Sequence, residues 1–193
     1  MPPTVAESPR TDKTRSVDVG CGAAPELPSA DVQVGLDIDL PSLRQNQVAH
    51  PHLHFVCGDG EHLPFRDGSF DAVISRVALP LMNLNAAIPE ISRVLKPGGR
   101  ASLNLHHFGF TWRDLLRRVR TGHPRAVIGG IWAILNGCIF HFFGRTFRLP
   151  FSRRFYDSFQ TYSSMTRILR DHGFSGRVVE AYVIKAQKAD HSS

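Results

Sequence analysis

Along the first hundred residues, short apolar runs alternate with polar stretches of helical or loop character. Val17 to Val19, Val32 to Ile38, Leu53 to Cys57, Phe70 to Ser75 and Ala101 to Leu105 read as strands. Between the last two, Asn85 to Leu95 reads as a helix, because Ile88, Ile91, Val94 and Leu95 recur on one face and Pro97-Gly98-Gly99 ends the repeat. Strands separated in this way predict an α/β protein with a mostly parallel sheet and helices on its faces. After Leu105 the alternation stops. A stretch rich in Phe, Arg and Gly runs to about Tyr162, followed by a helix from Ser164 to His172, closed by Gly173, and a last strand from Val178 to Ala186. No internal repeat is visible.

The most apolar run, Ala126 to Phe143 (AVIGGIWAILNGCIFHFF), carries no charge and approaches the length of a membrane span. Gly129, Gly130, Gly137, Asn136 and His141 interrupt it, and arginines flank it on both sides. These features favour a buried or substrate-covering helix first, an interfacial helix second and a span third.

At 193 residues, 42% hydrophobic and 21% charged, the chain has the size of one domain with a real core, and a second full domain does not fit. The expected organisation is a flexible tail over residues 1–16 and one domain over 17–193, with 108–165 as a helical lid or substrate-binding insertion. Cys21, Cys57 and Cys138 are odd in number and lack CxxC spacing, which argues against a disulfide framework or a zinc knuckle. The opening MPPTVAESPRTDKTR lacks the apolar run of a secretory signal, so the expected location is cytoplasmic. The formal charge of +6 is uneven: residues 108–170 hold eleven Arg and two Asp, a net of +9 that leaves −3 elsewhere. Such a segment suits an acidic partner, whether a membrane surface, a phosphorylated or carboxylated substrate or nucleic acid; an arginine-rich solvated face is the equally supported alternative.

The chemistry-bearing signal begins with VDVGCGAAPE, directly after the first strand. Gly20 and Gly22 let the backbone turn sharply and lie against a ligand. Pro25 occupies the place of the third glycine in GxGxxG, which counts against NAD. In VGLDID, Asp37 ends the second strand, where a carboxylate can accept ribose hydroxyls; Asp37 or Asp39 could instead cap a helix before Pro41. In FVCGDGEHLPF, Asp59 can accept from an adenine amino group or serve as a turn aspartate. FRDGSFDAVISRVAL and EISRVLKPGGRASLNL complete the series.

Over about Val17 to Leu105 this ordered series resembles the class I S-adenosylmethionine (SAM)-dependent methyltransferases, of the methyltransferase type 11 kind. The resemblance implies a Rossmann-like, doubly wound, mostly parallel sheet with SAM as cofactor. It assigns Asp18 and the Gly20-Cys21-Gly22 loop to the amino-acid part of SAM, Asp37 to the ribose, Ile38 to the adenine face, Asp59 with Gly60 to the adenine edge, and Ser75 with Arg76 to the sulfonium side. Two departures stand out. Pro25 and Pro28 fall in the first helix of the family pattern, which should be short or absent here, and GFSGRVVEAYVIKAQK is short for the usual terminal hairpin, so six strands or a stunted seventh are expected.

Methyl transfer from a sulfonium needs an aligned acceptor, and a general base only where the acceptor must lose a proton. His106 and His107, just beyond the fifth strand, are the candidate bases, against the alternative of loop or core histidines; Tyr156 and Tyr162 are weaker candidates. His50, His52 and His54 alternate in HPHLHF, yet no carboxylate or cysteine at suitable spacing completes a metal site, and none is expected. The mix of Arg, Phe and an apolar run in 108–165 favours a small-molecule or amphiphilic acceptor, such as a lipid, isoprenoid or glycan intermediate, with possible peripheral membrane contact through the same segment. Nucleic acid is disfavoured because the arginines interleave with so apolar a run. The competing classes are a non-catalytic SAM-fold protein acting as a membrane-associated scaffold and an NAD-dependent oxidoreductase.

Overall fold

The computed structural model describes residues 13–23, 25, 27–76, 78–150, 156–180 and 183–190, with the backbone alone at 176–180. Seven strands form one sheet: β1 (Arg15–Val19), β2 (Val32–Asp37), β3 (His54–Cys57), β4 (Phe70–Ser75), β5 (Leu95–Asn104), β6 (Phe174–Glu180) and β7 (Val183–Lys188), in the order β3-β2-β1-β4-β5-β7-β6. The first five pair in parallel, and β7 joins β5 and β6 antiparallel. The helices are α1 (Leu40–Ala49), α2 (Leu84–Val94), α3 (Phe108–Thr121), α4 (Pro124–Phe143) and α5 (Tyr162–Asp171), with a 3-10 turn at Leu79–Leu81.

The sheet confirms the mostly parallel, Rossmann-like expectation and corrects three details. The single strand expected over Val178 to Ala186 is the two arms of a hairpin, so the sheet has seven strands rather than six or a stunted seventh. β1 begins at Arg15, which takes Arg15 and Ser16 out of the expected tail; residues 1–12 lie outside the described residues. Pro97-Gly98-Gly99 ends α2 as expected but sits inside β5 as a bulge, where the register against β4 shifts from Phe70 opposite Leu95 to Ala72 opposite Arg100. Among the described residues no helix joins β1 to β2, as Pro25 and Pro28 implied.

The registers stack Val17 beside Val34 and Val73, Val19 beside Leu36, and Leu103 beside Ile184 on one sheet face. Ile88 and Ile91 of α2 and Ile168 and Leu169 of α5 close that face into the main core. α1 packs against β2 and β3 and adds nothing to that core. β1 therefore stands where the chain reverses its direction of growth across the sheet, with β2 on one side and β4 on the other. In such sheets the crevice beyond the strand C-termini at this point is the ligand position.

The segment after β5 is helical, as expected, although α5 starts at Tyr162, inside the range assigned to the insertion. α3 and α4 form a hairpin turned by Gly122 in the left-handed conformation (φ 68°). The glycines that weaken α4 as a span form its packing face. A Cβ on Gly130 would lie 2.9 Å from Leu115 Cδ1, and one on Gly137 would lie 2.1 Å from the Phe159 ring. Asn136 is fully buried; its Nδ2 donates to the carbonyls of Phe147 (2.9 Å), Tyr156 and Asp157 (3.2 Å), and its Oδ1 accepts from the Phe147 N–H (2.8 Å). The buried-helix expectation thus holds for one face of α4, with Ala133 and Phe140 in the interior and Ile128 and Phe142 outside.

Candidate cofactor and active site

Beyond the C-terminal ends of β1, β2 and β3 lies a cavity of about 220 Å³ whose lining includes Gly20, Asp37, Ile38, Asp59, Gly60 and Met82. Gly20 turns at φ 76°, and the Gly20 and Cys21 N–H groups both donate to the Leu36 carbonyl (2.8 and 3.0 Å), drawing the loop across the end of β2. The Asp37 carboxylate is held from two sides. Oδ2 accepts from the Gly22 N–H (2.7 Å) and Oδ1 from the Asp39 N–H (2.9 Å), and each oxygen keeps a further lone pair for a ligand hydroxyl. The helix-cap alternative falls to the neighbour: Asp39 Oδ2 accepts from the Ser42 N–H (3.1 Å) and caps α1. Asp59 Oδ1 accepts from the Glu61 N–H (2.9 Å), as a turn aspartate does, and the residue also lines the cavity.

Close approach explains two of the glycines. A Cβ on Gly20 would lie 2.0 Å from the Ala78 Cβ; one on Gly60 would lie 2.6 Å from Met82 Cε and 2.9 Å from Val19 Cγ1. Ile38 and Leu81 leave apolar surface open at the cavity, 46% and 51% exposed, as walls for a flat ring. A Cβ on Gly22 would meet nothing; the left-handed φ of 55° is what calls for glycine there, and its N–H serves Asp37.

The other cofactor candidates, Asp18, Cys21, Gly22, Ser75 and Arg76, are not among the residues lining this cavity. Asp18 is fully buried, with Oδ2 3.4 Å from an Arg76 guanidinium nitrogen, so this arginine and aspartate form one unit at the ends of β1 and β4. Ser75 is fully buried and donates to the Val19 carbonyl (2.8 Å), tying β4 to β1; it is not among the residues lining the cavity. Burial, then the nearby carboxylates of Asp18 and Asp37, pushes the Cys21 thiol up to about 12, which keeps it protonated and inert.

His106 and His107 follow β5, which lies two strands from β1 across β4, a separation of roughly 10 Å at ordinary strand spacing. The His106 backbone is clamped by Gln160, whose side-chain oxygen accepts its N–H (2.9 Å) and whose N–H donates to its carbonyl (2.8 Å). Its ring packs 4.8 Å from Phe110 of α3. Burial, reinforced by His107, holds its pKa below the ordinary histidine value, so the ring is neutral at pH 7 and able to accept a proton. His107 is the cap residue of α3, its carbonyl accepting the Phe110 N–H (3.0 Å). Next to His106, Phe110, Arg113, Asp114 and Arg117 line a cleft of about 350 Å³ on α3. Burial raises the Asp114 pKa, but hydrogen bonds from Arg117 and Arg118 outweigh it and hold the carboxyl below its usual range. Tyr156 and Tyr162 line neither cavity. Among the described residues no group of three His, Cys, Asp or Glu side chains is placed to hold a metal ion.

The cavity thus unites Gly20, Asp37, Ile38, Asp59 and Gly60. Sequence reasoning missed Leu36, Gly58, Glu61, Ala78, Leu81 and Met82, which complete its lining. Leu36, Gly58 and Glu61 stood inside the VGLDID and FVCGDGEHLPF motifs; the other three lie in an apolar stretch without periodicity. The donor set suits the adenosine part of SAM: carboxylate lone pairs for hydroxyls, apolar walls for a ring, and glycines where a Cβ would fill the space.

The comparisons agree with this geometry. Residues 17–103 match the family model described as a methyltransferase domain. The chain is 40% identical over 90 residues to the demethylmenaquinone methyltransferase of Renibacterium salmoninarum, covering 44% of this chain and 37% of that protein. It is 38% identical over 88 residues to the malonyl-[acyl-carrier protein] O-methyltransferase of Pseudescherichia vulneris, covering 43% and 35%. The chain therefore spans well under half the length of these curated relatives. The crystal structure of a SAM-dependent methyltransferase from Methanosarcina mazei superposes with a TM-score of 0.61 at 20% identity, covering 93% of this chain and 94% of that one, which shows the shared fold. The motif series, the sheet order and the match over residues 17–103 agree on a methyltransferase domain of the class I, SAM-dependent kind over that part of the chain.

Proposed function

We propose that the chain transfers the methyl group of SAM to an amphiphilic small molecule, of lipid, isoprenoid or glycan-intermediate type, seated between the end of β5 and the α3–α4 hairpin. The observation that carries this reading is the cleft beside His106, which sets the Phe110 ring next to Arg113 and Arg117 and so offers apolar contact and positive charge at one place. Relatives named for demethylmenaquinone and for malonyl-[acyl-carrier protein] support an acceptor of this class.

SAM, when bound, supplies an electrophilic methyl group. The protein's own share is placement and exclusion of water. Asp37 and the Gly20–Gly22 loop hold the cofactor, the hairpin covers the acceptor, and the neutral His106 ring takes the proton of an oxygen or nitrogen acceptor. Calorimetric titration with SAM, followed by transfer of labelled methyl to a panel of quinols, acyl carboxylates and phosphorylated isoprenoids, tests the reading. His106→Ala should keep SAM affinity and lose turnover. Parent-like turnover in both His106→Ala and His107→Ala removes the base. Absence of SAM binding overturns the enzyme reading and favours a non-catalytic scaffold.

A further inference from the structure

We infer that the outer face of the α3–α4 hairpin is a docking surface for an anionic lipid bilayer, on which α4 lies in the plane of the interface. The inference does not rest on the acceptor proposed above, because it concerns the side of the hairpin turned away from the domain.

Helical geometry sorts α4 into two faces. Gly129, Gly130, Ala133, Asn136, Gly137 and Phe140 are buried, Gly130 against Leu115 of α3 and Gly137 against Phe159. Ile128, Ile131, Leu135 and Phe142 fall within an arc of about 60° opposite Ala133 and are 56%, 47%, 52% and 69% exposed. α4 contains no charged residue after Arg125, so nothing on this arc keeps it wetted. α3 adds a second exposed arc, Phe108, Trp112, Leu116 and Val119, all between 43% and 53% exposed. Since α3 packs antiparallel on α4 through Leu115 at Gly130, right-handed geometry turns this arc toward the same outer side. Eight large apolar side chains on one hairpin exceed the scatter of single hydrophobics normal on a soluble surface.

The charges name the occupant. Arg120 and Arg125 stand exposed at the turn of the hairpin, and Arg145 stands exposed just past the far end of α4. Cations at the ends of an uncharged apolar stripe match anionic head groups around buried acyl contact, with the apolar face about 5–10 Å deep. A second copy of the same hairpin would bring these cations against one another. A span is ruled out by the inner face: α4 is long and apolar enough to cross a membrane, but its glycines and Asn136 are committed to the domain.

The test is flotation of the full chain with vesicles of neutral phosphatidylcholine, alone or with a third of anionic phosphatidylglycerol, over a salt series. Binding to the anionic vesicles should exceed binding to neutral ones by about tenfold or more at low salt and fall as salt rises. Leu135→Asp with Phe142→Asp should lower it by at least about tenfold while SAM affinity and the melting temperature stay within error. The triple Arg120→Gln, Arg125→Gln, Arg145→Gln variant leaves the apolar arc intact, and it should remove the anionic preference even where the aspartate pair fails to fold. Trp112 emission should shift to the blue on vesicle addition. Equal binding to both vesicle types, no binding to either, or a concentration-dependent dimer abolished by Leu135→Asp would each overturn the inference, the last by showing that a second copy covers the face. Failure here with intact SAM binding leaves the enzyme reading untouched.

Discussion

Replacing Asp37 with alanine separates a ligand carboxylate from a merely structural one. The side chain lines the cavity and accepts from the Gly22 and Asp39 N–H groups, which leaves one lone pair on each oxygen for a ligand. Hydrogen bonds to a charged group contribute about 1.5–3 kcal/mol. At about 1.4 kcal/mol per tenfold, losing the ribose contact weakens SAM or S-adenosylhomocysteine binding by roughly 10- to 150-fold. The two backbone N–H groups also lose their acceptor, but both sit where water can replace it, so the looser loop adds at most about 1 kcal/mol, or roughly fivefold. Asp39→Ala is the matched control, since Asp39 caps α1 and is not among the cavity residues. It should lower stability by about 1 kcal/mol, as N-cap losses do, with affinity unchanged. Calorimetry with S-adenosylhomocysteine and denaturant titration of both variants give the two numbers. Parent-like affinity in Asp37→Ala, or an equal loss in Asp39→Ala, would refute the assignment.

Asn136→Leu fits the volume of the site but strips acceptor and donor from the Phe147 N–H and the Phe147, Tyr156 and Asp157 carbonyls, so the denaturation midpoint should fall by the equivalent of about 2–4 kcal/mol; an unchanged midpoint would contradict the clamp. Because burial, with His107, lowers the folded pKa of His106, its stabilising neutral form is fully present above the unfolded value of about 6.5 and is lost as pH falls through the lower folded value. Stability should therefore drop between pH 7 and pH 5 more steeply in the parent than in His106→Phe, and identical pH curves by denaturant titration would refute the shift.

The parallel half of the sheet was legible because each of its strands carries a short apolar run between polar segments. The terminal hairpin was not, since VVEAYVIKA runs on without the Gly, Asn or Pro that mark a turn. The start of β1 hid behind polarity: Arg15 is exposed, and what holds its backbone is the Asp71 carboxylate, which accepts the Arg15 N–H (2.8 Å) from the neighbouring strand. At the site, motif order pointed to the loop and to Asp37, Asp39 and Asp59, but only the hydrogen bonds and the cavity lining show that Asp39 caps α1 while Asp37 faces the cavity. Leu81 and Met82 escaped because a cavity wall made by one short 3-10 turn and the residue after it has no periodicity to read. Asn136 looked like a flaw in an apolar run; its partners are backbone groups from Phe147 to Asp157, beyond the reach of any local window.

That amide also changes how the connection between α4 and α5 can vary. The segments entering and leaving residues 148–155 are pinned to the same side chain, one at Phe147 and the other at Tyr156 and Asp157. The two ends of the connection are thus held at a fixed separation by a residue that lies outside it. Closure entropy grows only with the logarithm of length, about 0.6 kcal/mol for each doubling. A change in the number of residues between Phe147 and Tyr156 therefore costs little closure entropy as long as Asn136 holds both ends.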